Sequence, residues 1–401
     1  MRFMSEPDPM LLDDRALTEL ALSLVKAASP SGQETAVAGI TREALDELGF
    51  DVHVDELGNV IGCLDAGRGP CVLLDSHMDT VGVTDPAAWA YDPTGEVADG
   101  RLYGRGAMDM KGPLAASIHG LAAVRDQLSC GRIVLCASVA EELVEGPVTA
   151  VVAERINPDA VVICEATSGR ISVGQRGRAE ITIEVYGTPT HSSRPDLGVN
   201  AAEVMADIVS GLRSVDLPPP HPGLGKAILV LTDIISRPYP GLSVVPDRCT
   251  ATYDRRTLPG ETNADVLAPI QAVVGRVVAD YPGAQGKASV AVDAFKTYTG
   301  ARIEAPNFAP AWWTGDEAPI VRAALAGLRG AGLPAETTTW DFCTNGSGTA
   351  GELGLPTLGF GPGHEELAHR VDEHIDLADL HAGARGYAAI VQALVAAGGD
   401  R

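Results

Sequence analysis

Three short, continuously apolar segments most constrain the fold of this chain. They lie at residues 71–75, 132–139 and 160–164. Strands that are apolar at consecutive rather than alternate positions are typical of a sheet buried on both faces, as parallel sheets are. Residues 112–128, between the first two segments, have helical spacing and suit a crossover connection. The sequence therefore predicts an α/β catalytic domain, with a mostly parallel sheet and helices on both faces.

The pattern changes after about residue 174. Residues 178–186 alternate apolar and polar side chains, which indicates an antiparallel strand with one solvated face. The segments that follow, up to about residue 293, have the order β-α-β-β-α-β of a ferredoxin-like domain. Helix and strand patterns of the α/β kind resume near residue 318. We therefore predict a discontinuous catalytic domain, residues 1–174 and 294–401, with a smaller α+β domain inserted at residues 175–293.

The N-terminal region also contains a helix-start signal. Ser31 and Glu34 have the spacing of a capping box, in which the two side chains cap the first turn of a helix. We expect a helix to follow this pair and to end at Gly49, after an earlier helix at 14–28.

Charge and cysteine content exclude several classes of function. The 401-residue chain has a formal net charge of −23, which opposes binding to nucleic acid and to anionic membranes. Its seven cysteines include no Cys-x-x-Cys pair, so we expect a reducing compartment and no thiolate zinc site. The longest apolar run, at about 387–397, is too short to span a bilayer, and the N-terminus shows no apolar signal-peptide core. The expected protein is soluble and cytoplasmic.

Side chains that can bind metal follow the ends of the predicted strands. Ligands of open α/β sheets bind beyond the carboxyl ends of the strands, so these side chains should meet at one edge. Two histidines and several carboxylates at one place form the kind of donor set that a two-metal hydrolase uses, and one carboxylate of an adjacent pair could remain free as a general base. The residues are His77, Asp79, Asp109, Glu141, Glu142, Glu165 and His369.

Each of these residues also has an ordinary alternative role. A single histidine at a strand end is commonly a hydrogen-bonded structural residue, and the Glu141–Glu142 pair could be solvated surface. Asp109 alone could be a helix N-cap. The recurrence of such residues at one sheet edge favours a functional site.

The segments around these residues resemble a known family. The matching segments are LLDSHMDTV (73–81), GRGAMDMKG (104–112), the pair at 141–142, CEA (164–166) and AHRVDE (368–373). In order and spacing they resemble the dinuclear zinc hydrolases that include acetylornithine deacetylase, succinyl-diaminopimelate desuccinylase and carboxypeptidase G. Further segments resemble a branch called selenium metabolism-linked hydrolases: GQRGR (174–178), DRRTLPGET (254–262), TNG (344–346) and GFGPG (359–363).

The resemblance implies a role for each candidate metal ligand. One zinc would be held by His77, Asp109 and Glu165, and a second by Glu142, Asp109 and His369, with Asp109 bridging. Glu141 would be the general base. Asp79 would orient His77, and the Asp109–Met110 peptide would be cis, as is typical of the family.

The resemblance also implies roles outside the metal site. His191 would reach the active site of a neighbouring subunit and stabilise the oxyanion. Arg256 would bind a substrate carboxylate, with a surface salt bridge as its ordinary alternative, and Asn345 would contact substrate. The inserted domain would be a lid that also forms a homodimer interface.

The implied reaction is hydrolysis of an amide bond in a small carboxylate-bearing substrate. Glu165 stands where peptidase members of the family often have Asp, which favours an N-acyl amino acid substrate of the deacylase or desuccinylase type. A dipeptidase, carboxypeptidase or aminopeptidase on the same scaffold is the alternative, and a metal-binding protein without catalysis is a third. The expected cofactors are two Zn²⁺ per subunit, with Co²⁺ or Mn²⁺ as possible substitutes.

Overall fold

The computed structural model describes residues 12–398, which form two compact units. The first unit contains the described residues up to Gln175, Ala294–Ile303, and those from Trp313 onward. The second contains Arg176–Asp293 and Glu304–Trp312. This division differs from the predicted one mainly in the return segment. There, Phe308–Ala309 pairs with the strand Gly177–Tyr186, so the chain passes back into the second unit before returning to the first.

The elements of the described range are numbered in chain order. The helices are α1 (Asp14–Lys26), α2 (Thr35–Glu47), α3 (Lys111–Val124), α4 (Pro147–Ile156), α5 (Ala201–Leu212), α6 (Asn263–Ala279), α7 (Pro319–Gly330) and α8 (Leu377–Gly398), with a π-helical turn at Ser347–Glu352. The strands are β1 (Asp51–Val54), β2 (Val60–Asp65), β3 (Cys71–His77), β4 (Glu96–Ala98), β5 (Arg101–Tyr103), β6 (Arg132–Ser138), β7 (Ala160–Ile163), β8 (Ile171–Gln175), β9 (Gly177–Tyr186), β10 (Ile228–Arg237), β11 (Arg248–Thr257), β12 (Gln285–Val290), β13 (Val292–Lys296), β14 (Arg302–Pro306), β15 (Phe308–Ala309), β16 (Trp312–Trp313), β17 (Thr337–Trp340), β18 (Thr357–Gly359) and β19 (His374–Asp376). Among the helices of residues 12–398, none combines the length and the apolarity that a membrane crossing requires.

The first unit is built on a mostly parallel sheet. Its strand order is β1-β2-β6-β3-β7-β18-β8, with β17 beside β8. The central strands β6, β3, β7 and β18 are mutually parallel, and β1 and β2 add an antiparallel edge. The three apolar segments of the sequence form β3, β6 and β7, so that prediction is confirmed. Because these three strands are parallel neighbours, their carboxyl ends meet at one edge of the sheet.

Helices cover both faces of this sheet. Every residue of β3 is buried, and successive side chains of a strand point to opposite faces. On one face the Asp75 carboxylate accepts a hydrogen bond from Thr149 of α4, and on the other the Ser76 hydroxyl lies 3.4 Å from that of Ser117 in α3. Helix α3 is apolar around most of its circumference, as expected for a helix buried between the sheet and α1 and α8.

The capping-box prediction is wrong. Helix α2 begins at Thr35, and its N-cap residue Glu34 makes no side-chain cap. The Ser31 hydroxyl instead donates to the Asp79 carboxylate at 2.6 Å, far away in the sequence.

A three-stranded sheet of β4, β5 and β19 was also not predicted, because its strands of three residues are too short to show a period.

The second unit has the predicted ferredoxin-like topology. Its antiparallel strands lie in the order β10-β11-β9-β12, and α5 and α6 pack on the sheet. Residues of β9 alternate between buried and half-buried, so the predicted period-two strand is confirmed. The core combines the inward residues of β9 with apolar residues of the two helices: Ala179, Ile181, Ile183, Val185, Val204, Met205, Ile208, Val266, Ile270 and Val273.

Candidate metal centre

His77 ends β3 and has a defined orientation. Its Nδ1 lies 2.9 Å from the backbone oxygen of Asp79. A carbonyl oxygen can only accept, so Nδ1 carries a proton and Nε2 is the nitrogen that can bind a metal. Nε2 lies 2.9 Å from Oδ1 of Asp109 and 3.1 Å from Oε1 of Glu165, which follows β7. The imidazole is 1% exposed and is therefore almost completely shielded from solvent.

A second group of donors lies on the other side of Asp109. Nε2 of His369 lies 3.1 Å from Oδ2 of Asp109 and 3.1 Å from Oε1 of Glu142. Each Asp109 oxygen therefore faces a different histidine. The structure thus brings together the five residues expected to hold metal, as two adjacent three-residue groups that share one carboxylate.

The spacing of the donor atoms is compatible with metal binding. Zinc bonds to imidazole nitrogen and carboxylate oxygen are about 2.0–2.1 Å long, so two ligands of one tetrahedral ion lie roughly 3.3 Å apart. The observed separations of 2.9–3.1 Å are within a few tenths of an ångström of this spacing. The set contains only imidazole nitrogen and carboxylate oxygen, which suits borderline divalent ions such as Zn²⁺ or Co²⁺.

Glu141 lies beside the first group, close enough that His77, Glu141 and Glu165 together could also hold a metal ion. Its Oε2 lies 4.0 Å from Nε2 of His77, almost an ångström farther than the nearest Glu165 oxygen. The residue is 7% exposed. Burial raises its pKa well above the ordinary value; the positive charge of His77 opposes this, and the nearby negative charges of Glu165, Glu145 and Glu142 add to it. A buried carboxylate with an elevated pKa beside a metal pocket is suited to accept and return a proton.

The Asp79 carboxylate binds the backbone of Glu141 and Glu142 and also lies near His77. Its two oxygens accept the backbone N–H of Glu141 at 3.0 Å and of Glu142 at 3.2 Å, and Ser31 donates to it as well. Its nearer oxygen is 3.5 Å from Nδ1 of His77, farther than the backbone oxygen of the same residue. Asp79 therefore orients His77 through its main chain and the glutamate pair through its side chain.

Glu373 contacts the loop that carries Asp109, a role that sequence reasoning missed. The residue is fully buried, and one carboxylate oxygen accepts three backbone N–H groups between Gly106 and Asp109. The Asp109–Met110 peptide in this loop is cis, as the resemblance implied. The only sequence signal was the position of Glu373 at the end of the matched AHRVDE segment.

Asn345 lies in a buried network behind the site. Its amide nitrogen donates to Asp75 at 2.8 Å and to the Ser138 hydroxyl at 3.2 Å, and its oxygen accepts the N–H of Gly146. The side chain is thus committed to the interior of the first unit. These contacts connect Asn345 to residues of β3 and β6. None of the described contacts tests the predicted contact of Asn345 with substrate.

The remaining two candidates belong to the second unit. His191 is exposed, and its Nδ1 accepts the N–H of Ser193, so the ring proton resides on Nε2. The Arg256 guanidinium forms two hydrogen bonds to Asp254, at 2.8 and 3.3 Å, which is the ion pair given above as its alternative role. A substrate carboxylate would have to share or replace Asp254.

The metal-free site has strongly altered proton affinities. Burial lowers the pKa of His77, but hydrogen bonds to Asp109, Asp79 and Glu165 outweigh it and raise the pKa well above its usual range. Hydrogen bonds to Asp109 and Glu142 raise the pKa of His369 to about 10. Burial raises the pKa of Glu165 to about 7. Burial acts in the same direction on Asp109, but the two histidines hold its pKa well below the ordinary value.

These shifts predict that metal binding at pH 7 releases protons. With these raised pKa values both imidazoles must lose a proton to become ligands, and Glu165 must lose part of one, so about two to three protons leave per pair of ions. Affinity for metal should therefore rise with pH through the neutral range. Titration calorimetry of Zn²⁺ binding in buffers of different ionisation enthalpy measures the number, and binding without net proton release would contradict this assignment.

Comparison with known proteins agrees with this geometry. Residues 73–393 match the sequence profile of peptidase family M20/M25/M40. The uncharacterised YgeY protein of Escherichia coli K12 is 32% identical, over 93% of each chain. A succinyl-diaminopimelate desuccinylase of Rhodospirillum centenum is 31% identical, over 68% of this chain and 73% of the relative. The solved structure of Bacillus subtilis YXEP, described as a dinuclear metal-binding peptidase, shares the fold, with a TM-score of 0.72, 16% identity and coverage of 96% and 98%. The chain therefore belongs to peptidase family M20/M25/M40 and is a metal-dependent amide-bond hydrolase.

Proposed function

We propose that this protein uses two zinc ions to hydrolyse the amide bond of an N-acyl amino acid. The observation that carries the proposal is the pair of donor groups that share Asp109, with the buried carboxylate of Glu141 beside them. His77, Asp109 and Glu165 would hold one ion, and Glu142, Asp109 and His369 the other. Two such ions, when bound, acidify a water molecule and polarise the substrate carbonyl.

Glu141 performs the proton transfers in this proposal. It accepts a proton from the attacking water and returns it to the nitrogen of the departing amine. Its backbone N–H donates to Asp79, which fixes the main-chain position from which the Glu141 side chain extends. The side chain is largely buried and so is shielded from bulk water. Glu142, the next residue, contacts His369 instead, so the two neighbouring glutamates have separate tasks.

The two glutamates should fail in different ways when they are changed. Glu141→Gln should retain both metals and lose about 10²–10⁴-fold in kcat, because it removes the general base but no ligand. Glu142→Ala is the matched variant and should lose metal, because it removes a ligand of the second ion. Elemental analysis and steady-state kinetics on the same preparations separate the two effects. Normal turnover by Glu141→Gln would show that another group is the base.

Two observations support a carboxylate-bearing acyl amino acid as the substrate. The desuccinylase relative, by its name, removes a succinyl group, and the Arg256 guanidinium, which pairs with the Asp254 carboxylate, can bind a substrate carboxylate if it exchanges that partner. A dipeptidase or related peptidase is the second candidate, because solved structures with the same fold include peptidases. In an N-acyl amino acid the carbonyl of the cleaved amide belongs to an acyl group, whereas in a peptide it belongs to another amino acid.

A substrate panel decides between the candidates. We expect zinc-loaded protein to hydrolyse some members of a set of N-acetyl, N-succinyl, N-formyl and N-carbamoyl amino acids faster than any dipeptide. The Co²⁺ and Mn²⁺ forms and the Glu141→Gln protein serve as controls for metal identity and contaminating activity. Turnover confined to peptides with a free α-amine would instead identify a peptidase.

The second unit has a surface suited to pairing with another copy of the chain. Strand β10 is an edge strand of ten residues, paired only with β11 in its sheet. Along it, Val230 and Ile234 are 48% and 47% exposed, and Leu242 in the following loop is 91% exposed. A long apolar edge is a template for strand pairing. We propose that two chains form a homodimer through β10.

In such a dimer His191 can serve the neighbouring active site. Its Nδ1 is occupied as an acceptor, so Nε2–H is the donor that remains to stabilise an oxyanion. The residue lies in the second unit, which also carries β10, and it is exposed. We propose that it donates across the dimer rather than within its own chain.

Mixing two inactive variants tests dimer and donor together. Equal amounts of Glu141→Gln and His191→Ala, after subunit exchange, should recover about a quarter of wild-type activity, since half the dimers are mixed and each contains one intact site. Each variant mixed with itself is the control. If His191 acts within its own chain, or if the protein is a monomer by sedimentation, mixing restores nothing.

A further inference from the structure

Glu373, like Asp79, is a buried carboxylate at this centre that accepts hydrogen bonds from backbone N–H groups. Its Oε1 accepts the N–H groups of Gly106 at 2.9 Å, Met108 at 3.0 Å and Asp109 at 3.2 Å. Three N–H donors that converge on one anionic oxygen are strong, charge-assisted hydrogen bonds. They hold the backbone of Gly106, Met108 and Asp109 around one carboxylate oxygen.

The other oxygen of Glu373 anchors the carboxylate itself. It pairs with the guanidinium of Arg105, whose side chain is 10% exposed and lies over the ring of Trp89 at 5.6 Å. The backbone oxygen of Glu373 also accepts the N–H of Gly104. Side chain and backbone of Glu373 thus both bind the segment 104–109, which ties this loop to the segment that carries His369.

This contact links the two loops on which the second metal depends. Glu373 follows His369 by four residues, and it binds the backbone of Asp109 directly. His77 and Glu165, in contrast, follow strands β3 and β7, whose positions are set by the sheet. His369 has no such support: its backbone lies in the left-handed region, with φ of +61°, in a segment between a short 3₁₀ turn and β19.

We propose that Glu373 is a positioning residue that sets the distance between Asp109 and His369 and so preorganises the second metal site. The inference rests on the proposed dinuclear function and extends it to a residue that binds neither metal nor substrate. Without Glu373, the Asp109 loop and the His369 segment would have to be ordered by the metal itself, at a cost to its affinity. The first metal retains two ligands at strand ends and is affected less.

Two variants and a control test the proposal. Glu373→Ala removes all the acceptors, whereas Glu373→Gln keeps one oxygen for the three N–H groups but loses the charge that faces Arg105. Asp376→Asn is the control, because Asp376 lies in the same segment but its partly exposed side chain pairs with Arg101 on β5 rather than with the backbone of residues 104–109. Hydrogen exchange of the metal-free proteins reports the loop, and Zn²⁺ titration reports the two sites.

The expected results form an ordered series. Amides of residues 104–112 should exchange faster in Glu373→Ala than in wild type, while amides of β3 and β6 remain protected. Affinity for the second Zn²⁺ should fall about 10–100-fold in Glu373→Ala and less in Glu373→Gln, with a smaller change at the first site. Asp376→Asn should match wild type in both measurements.

Three results would overturn parts of the account in distinguishable ways. Equal affinity of Glu373→Ala and wild type for both ions would reject the positioning role. Loss of protection throughout the first unit would show that Glu373 only stabilises the fold. Failure of wild type itself to bind two ions would reject the dinuclear function on which the inference rests.

Discussion

The centre depends on one carboxylate that two histidines share. Asp109 presents one oxygen to His77 and the other to His369, at 2.9 and 3.1 Å. A carboxylate can bridge in this way only if both partners approach in its plane and at a defined separation. Much of the surrounding structure fixes the positions of Asp109 and the two histidines.

Two kinds of support maintain this arrangement. His77 is the last residue of β3 and Glu165 follows β7. The hydrogen bonds between these parallel strands set the distance between the two residues. Asp109, Glu141 and Glu142 lie in loops, where the backbone is not held by the hydrogen bonds of a sheet. In these loops, buried carboxylates accept the backbone N–H groups instead. Asp79 accepts the N–H groups of Glu141 and Glu142, and Glu373 accepts those of the Asp109 loop. Hydrogen bonds to Asp109 raise the pKa values of both His77 and His369, with Asp79 and Glu165 adding to the effect at His77 and Glu142 at His369.

The parts of this arrangement that could be predicted from sequence are those that depend on local pattern. Continuous apolar runs indicated the parallel strands, and their ends indicated where His77, Glu141 and Glu165 should lie, because parallel strands place their carboxyl ends together. The alternation in β9 likewise indicated the second unit. Glu373 could not be assigned in this way, since its partners lie 264–267 residues earlier in the chain. Ser31 shows the same limit: its spacing to Glu34 resembles a cap, but a distant carboxylate binds its hydroxyl.

In the proposed centre, Asp109 lies between two metal ions. Crystals grown with Zn²⁺ and measured on either side of the zinc absorption edge test it directly. We expect two anomalous peaks in each chain, one beside His77 and Glu165 and one beside His369 and Glu142, with an Asp109 oxygen bound to each. A single peak, or two peaks with Asp109 bound to only one of them, would contradict it.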